Sequence, residues 1–271
     1  MRLINRKPGR PLGVVLLLLP FLAVFLAYTI GSDIRRAENP RDKLLPAPAA
    51  IAETAGRLLT EPDRRSGRIL FWNDTWVSLA RLGQGVLIAA LIGLALGLAI
   101  GLLPYARATF AGFVSAVSMV PPLSVLPILF IVAGLGNASK IALIAIGITP
   151  FLVRDLAQRV LEIPAEMVVK AQTLGASTRV IALRVALPQV LPRLIQAIRL
   201  SLGPAWLFLI AAEGIASEAG LGYRIFLVRR FLAMDVILVY VLWITILAFL
   251  IDYGLKKLGE TAFPWFGREG I

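Results

Sequence analysis

Apolar positions along this chain gather into long blocks, separated by short basic, Pro-rich or Gly-rich stretches. Blocks of about 20 apolar residues are long enough to cross the hydrocarbon core as helices. A backbone in lipid must satisfy its own hydrogen bonds, and the period-two alternation of a β-barrel is absent, so helices remain. The blocks predict an all-α membrane protein with six transmembrane helices, at about residues 11–30, 76–103, 109–134, 141–153, 194–212 and 236–255.

Interruptions inside these blocks carry further information. Gly93, Gly97 and Gly101 fall four residues apart in the second span, with Ala89 one step earlier. On a helix they share one face, where small side chains admit a close helix neighbour. The third span contains Met119-Val120-Pro121-Pro122 and then Pro127. Adjacent prolines remove backbone donors and push the preceding residue out of helical conformation, so a break is expected there. Broken helices at membrane depth occur where the backbone is buried or lines a cavity. Ser118, Met119, Pro121, Pro122 and Ser124, with Thr149 of the fourth span and Ser115, are therefore candidates to line a pathway. Their hydroxyls can equally bond the preceding helical turn.

Between the spans, residues 31–74 form the longest polar stretch, with eight Lys/Arg and seven Asp/Glu. Ile51, Ala55, Leu58 and Leu59 fit one face of a short amphipathic helix suited to the outer membrane–water interface. Gly136-Asn137-Ala138-Ser139-Lys140 predicts an outer turn, and Glu213 to Asp235 an outer polar loop bearing Glu213 and Glu218. Arg154-Asp155 closes the fourth span as an interfacial anchor. From Gln158 to Arg184 the chain is mixed polar and apolar and carries Arg159, Lys170, Arg179 and Arg184. Pro164 suits a first helical turn, Met167, Ala171 and Leu174 share a stripe, and Gly175 is a natural stop. Ser177 or Thr178 then caps a second helix that ends at Leu187-Pro188. The expectation is a helix–turn–helix too polar to span.

Charge fixes an orientation. Lys and Arg exceed Asp and Glu by 28 to 16, a formal net charge of +12. Such an excess can serve nucleic acid, but here it sits in alternate turns, as expected of cytoplasmic loops. Arg2, Arg6, Lys7 and Arg10 precede the first apolar run, which is longer than a signal core and lacks a clear small-x-small site. An uncleaved first span is expected, with both termini cytoplasmic, and no nucleic acid as partner. With no cysteine and no histidine, thiol and Ser-His chemistry and the usual zinc and haem ligands are excluded. No metal site is expected. Nor is there a Gly-x-x-x-x-Gly-Lys-Ser/Thr phosphate loop.

The loop residues carry a specific resemblance. Around Gly175 the chain is similar to the cytoplasmic loop of binding-protein-dependent ABC importer permeases, whose motif reads Glu-Ala-Ala, three residues, Gly, nine residues, Ile-x-Leu-Pro. Aligned on Gly175, Leu187 and Pro188 fall at the motif spacing, Ala171 at the third position and Val185 at the isoleucine. Val169 stands in place of the glutamate and Lys170 of the first alanine, with Glu166 one turn earlier as a substitute acid. Asp42-Lys43-Leu44-Leu45-Pro46, Pro121-Pro122, Leu174-Gly175-Ala176-Ser177 and Gly220-Leu221-Gly222-Tyr223 extend the resemblance to the nitrate/sulfonate/taurine branch.

That resemblance implies a type I importer permease with a coupling helix between spans 4 and 5, in a bacterial inner membrane. It implies a permease pair of two identical chains, with two cytoplasmic ABC ATPases that bind ATP and Mg2+ and grip Glu166, Val169, Lys170, Ala171, Leu174, Gly175, Ala176, Ser177, Leu187 and Pro188. A periplasmic or lipid-anchored binding protein would dock near Glu213 and Glu218. The expected organisation is 1–30 (amino terminus and first span), 31–74 (periplasmic segment), 75–258 (permease core, coupling loop 159–188) and 259–271 (cytoplasmic tail). An ion-coupled secondary transporter is the competing class, for which intramembrane acids would be required.

Overall fold

The computed structural model describes residues 9–39, 42–63 and 66–266. The basic residues Arg2, Arg6 and Lys7, Pro40, and the end of the tail at 267–271 lie outside the described residues, as does the side chain of Arg10. Eleven helices are described: α1 (Arg10–Glu38), α2 (Pro48–Thr60), α3 (Leu70–Leu102), α4 (Pro104–Val117), α5 (Pro122–Ala133), α6 (Asn137–Leu161), α7 (Ala165–Thr173), α8 (Thr178–Val180), α9 (Leu187–Ile215), α10 (Leu221–Arg229) and α11 (Met234–Ala262). A π-helical stretch, Ile181–Ala186, joins α8 to α9. Five helical stretches are long and apolar enough to cross a membrane, six if the α4–α5 pair, bent by 95°, is counted as one broken span. The chain forms two compact units, Met1–Ile69 with Val228–Val241, and Leu70–Leu227 with Leu242–Ile271.

In the first unit α1 is apolar on all sides, and its side chains from Leu12 to Leu26 are largely exposed, the surface a lipid-facing helix presents. The segment after α1 folds back onto its last turns. Tyr28 donates its hydroxyl to Pro46 O (2.7 Å), Ser32 Oγ donates to Leu45 O (2.9 Å), and Arg35 Nε pairs with Asp42 Oδ2 at 2.6 Å. Asp42-Lys43-Leu44-Leu45-Pro46 is thus a tether of carbonyls and one carboxylate across the end of α1. The Arg35 hydrogen bond holds the Asp42 carboxyl below its usual range. In α2 the predicted amphipathic helix forms, and its buried Thr54 donates to Asp235 Oδ2 at 2.7 Å.

In the second unit α3 and α6 lie side by side and run in the same direction. A Cβ added at Gly85 or Gly93 would stand 2.7 or 2.8 Å from the Cβ of Ile144 or Leu152, and one at Gly97 2.7 Å from that of Leu156; Gly101 faces Val160. Both rows advance in four-residue steps, so small residues of α3 form a groove that receives the ridge of α6. The groove includes Gly85, one four-residue step beyond Ala89 and two beyond Gly93. Val190 and Leu194 of α9 close the core against Leu156 and Val160. Where α3 ends, Arg107 donates to Ile100 O (3.1 Å) and Gly101 O (2.7 Å), satisfying carbonyls the helix leaves orphaned.

Four boundaries differ from the sequence expectation. Asn137 to Lys140 form the first turn of α6 rather than a loop, because Lys140 Nζ folds back to Leu135 O (2.6 Å) and Gly136 O (2.9 Å) and Ser139 Oγ donates to Gly136 O. At its other end α6 runs two turns beyond Arg154-Asp155. The expected polar loop from Glu213 holds the end of α9 and all of α10. Finally, the helix after Ser177 does not close at Leu187-Pro188. It continues into α9, since the wider π turn accommodates the missing Pro188 donor and Gln189 Nε2 donates to Val185 O at 2.8 Å.

Candidate functional site

Three regions of the second unit carry the polar chemistry. The first is the loop between α6 and α9. Glu162 caps α6, and Arg159 Nη1 reaches its carboxylate at 2.9 Å, holding that carboxyl below its usual range. Pro164 precedes α7, whose nine residues include no buried side chain. The helix ends in a Schellman closure: Gly175 N donates to Gln172 O and Ala176 N to Ala171 O, both at 2.9 Å. Gly175 sits at φ +80°, in the left-handed region that a Cβ disfavours. Ser177 then caps α8, its Oγ accepting from Val180 N at 3.4 Å.

The closure presents Leu174 at the tip, 87% exposed, with Met167 and Val169 exposed on α7. Glu166, Lys170 and Ser177 are exposed beside them, Ala171 and Ala176 partly so. Leu187 and Pro188 lie elsewhere, half-buried at the root of α9. The loop is thus a short apolar and polar knob with no covering of its own, tied through the π stretch to a membrane-length helix.

The second region is a cavity of about 640 Å³ at the α4–α5 break, against α6. Ser118 and Pro122 line it, along with Gly147, Arg154, Asp155 and Gln158 of α6. Met119, Pro121, Ser124 and Thr149 are not among the lining residues. Met119 is exposed, while Ser124 Oγ donates to Pro121 O (2.7 Å) and Thr149 Oγ1 to Ala145 O (2.6 Å), the local bonds that hydroxyls in helices commonly make. Arg154 sits two turns inside α6 rather than at its end, and donates to Ser118 Oγ at 2.9 Å.

The third region lies at the opposite end of α3, and sequence reasoning passed over most of it. Asp74, Ser78 and Arg81 occupy one face of α3, and Ser78 and Arg81 converge on Glu213 of α9. Arg81 Nη1 lies 2.7 Å from Glu213 Oε1, and Ser78 Oγ donates to the same carboxylate at 2.8–2.9 Å. Arg224 Nε reaches Asp74 Oδ2 at 2.8 Å, and Arg81 Nε reaches Asn137 Oδ1 at 2.9 Å. The backbone amides that open α10 complete the network: Gly220 N donates to Asp74, Leu221 N to Ser78 and Gly222 N to Glu213, at 2.8–3.0 Å.

This placement corrects the expectation for Glu213. A docking edge requires exposure, and Glu213 is 0% exposed, held as an internal ion pair; Glu218 does lie at the surface. Gly220-Leu221-Gly222 gains a physical reason as well. Gly220 has φ +127°, with the Glu213 carboxylate 2.5 Å from where a Cβ would stand, and a Cβ at Gly222 would meet Ile210 O at 2.6 Å. The overlooked signal was the spacing of Asp74, Ser78 and Arg81, three polar residues on one face of an apolar helix. Starting the second span at Trp76 left Asp74 outside it.

Comparison with known proteins adds an independent line. A family model described as "Binding-protein-dependent transport system inner membrane component" matches residues 85–257. The taurine transport system permease protein TauC of Escherichia coli (strain K12) is 36% identical over 197 residues, covering 73% of this chain and 72% of that protein. The putative aliphatic sulfonates transport permease protein SsuC of Bacillus subtilis (strain 168) is 27% identical, covering 97% and 92%. The bicarbonate transport system permease protein CmpB of Synechococcus elongatus is 32% identical, covering 67% of each. Among solved structures, an inward facing conformation of the MetNI methionine ABC transporter aligns with a TM-score of 0.63 at 22% identity. It covers 71% of this chain and 95% of that one, a likeness of fold alone.

Proposed function

This chain belongs to the binding-protein-dependent transport system inner membrane components, the permeases of ABC importers, and from that membership we propose that it forms the pathway for a small oxyanion, driven by a separate ATPase that grips the α7–Gly175 knob. The observation that carries the proposal is the knob itself. Membrane proteins do not ordinarily leave a rigid, Schellman-closed helix with Leu174, Met167 and Val169 uncovered in water, and a protein groove is a fitting cover for them.

The mechanism follows from how the knob is rooted. It continues through the π stretch into α9, whose far end carries Glu213. A displacement imposed at Gly175 therefore enters a membrane-length helix directly, and the buried Arg81–Glu213 pair binds that helix to α3 at the other end. Closure of a pair of ATPases on ATP and Mg2+ would rock the helices around a central pathway between inward-open and outward-open states. Two copies of this chain would share that pathway. A periplasmic binding protein would deliver the solute, both termini would lie in the cytoplasm, and the membrane would be the bacterial inner one.

The relatives named above are named for taurine, aliphatic sulfonates and bicarbonate, which have in common a compact oxyanion group. The competing class, an ion-coupled carrier, would use intramembrane acids. Buried acids exist here, at Asp74 and Glu213, but each is already matched by an arginine. Gly175→Asp is the test. The variant is expected to insert normally, to lose the ATPase on co-purification and to lose uptake. Undiminished ATPase binding and transport would remove the docking role.

A further inference from the structure

The cavity at the α4–α5 break has two chemically different ends. Ile146, Gly147 and Val125 make one end apolar; Ser118, Arg154, Asp155 and Gln158 make the other polar. Along α6 the lining runs from Ile146 to Gln158, about 18 Å at 1.5 Å per residue. The break supplies a second wall that two adjacent prolines hold open.

Arg154 is the arginine that lines this cavity, and like Arg107, Arg179, Arg184 and Arg193 it has no carboxylate partner among the described residues, unlike the other arginines of the second unit. Arg81 reaches Glu213, Arg224 reaches Asp74 and Arg199 reaches Asp252. Arg159, one turn along α6, draws on both Asp155 and Glu162. Among the described residues no carboxylate lies within 4.0 Å of Arg154, and the neutral hydroxyl of Ser118 is its one hydrogen-bond partner. Asp155, the acid beside it, is occupied by Arg159. Arg154 is exposed, and an arginine with donors to spare that faces a cavity from a spanning helix marks a path for an anion. Its planar fork suits the paired oxygens of a sulfonate, carboxylate or bicarbonate.

We infer that Arg154 is an oxyanion subsite of the translocation pathway, with Ser118 orienting its guanidinium and the apolar end of the cavity receiving the organic part of the solute. This rests on the import function proposed above and assigns its selectivity to a residue of the permease. The cavity favours an anion with a short apolar body over a cation, because its lining acid, Asp155, is paired with Arg159 at 3.6 Å while Arg154 has no carboxylate partner among the described residues.

The experiment uses the whole complex, this chain with its ATPase and binding protein, in liposomes, and measures ATP-dependent uptake of taurine, ethanesulfonate and bicarbonate. If the wild-type complex takes up none of the three, the import reading and its oxyanion class fall together. With an active wild type, Arg154→Gln is expected to lower uptake by about 10- to 100-fold, the usual weight of a hydrogen bond to a charged group, while the chain still co-purifies with its ATPase. Arg154→Lys, which keeps the charge without the fork, is expected to fall between. Because the chain has no cysteine, Arg154→Cys introduces its single thiol. Labelling that thiol with a cationic methanethiosulfonate should recover uptake, whereas the anionic sulfonatoethyl reagent should not. Equal recovery with both reagents, full uptake by Arg154→Gln, or failure of the Arg154→Gln and Arg154→Cys complexes to assemble would each overturn the subsite.

Discussion

Glu213 shows how much a single side chain can hold. Its carboxylate accepts from Arg81, from Ser78 and from the amide of Gly222, so one buried group joins α3, α9 and the start of α10. Removing one partner of a buried ion pair strands the other charge, at a typical cost of about 3–5 kcal/mol. Glu213→Ala is therefore expected to lower the denaturation midpoint of the purified protein in detergent sharply. Glu218→Ala, at an exposed position, should leave it nearly unchanged. Equal midpoints for the two variants would contradict the network. At this scale the sequence is least legible. A charge at the edge of an apolar block looks like topology until its partner, more than a hundred residues away, is in place.

Elements were easier to anticipate where the signal was periodic or steric. The glycine row of α3 and the Pro121-Pro122 break are both written in local chemistry, and the structure shows a groove filled by α6 and a 95° bend. The continuity of α9 through Leu187-Pro188 was not legible, because a π turn accommodates a proline that sequence rules read as a stop. The early end assigned to α6 failed for a related reason: the helix simply outlasts its apolar core. Two comparisons test the packing. Gly97→Val should destabilise by about 1–3 kcal/mol, as overpacked cores do. Gly83→Ala, on the same helix with nothing within 4 Å, should be neutral or stabilising by up to about 1 kcal/mol. Thermal unfolding of both variants in one detergent would show the order; a reversed order would contradict the groove. At Gly175 the strain is conformational, so Gly175→Ala should loosen the knob with little change in global stability, read as faster amide exchange across α7.

At the scale of the whole molecule, the six-span architecture and the family were legible from apolar blocks and from the loop motif. The reason is that both are set by the bilayer and by spacing rather than by long-range contacts. The departures at Val169 and Lys170 also take on a role here: both are exposed, so the missing acid changes the surface of the knob and not the fold that presents it. The knob is the point at which chemistry outside the chain would enter it. Because the chain has no cysteine, Leu174→Cys would place one thiol at the most exposed tip of that knob. Bifunctional cross-linking of this variant in the assembled, membrane-embedded complex is the most direct measurement. A cross-link to the ATPase subunit is expected, with a yield that changes with ATP and uptake that stops once it forms. No cross-link to the ATPase, or undiminished uptake in the cross-linked complex, would contradict it.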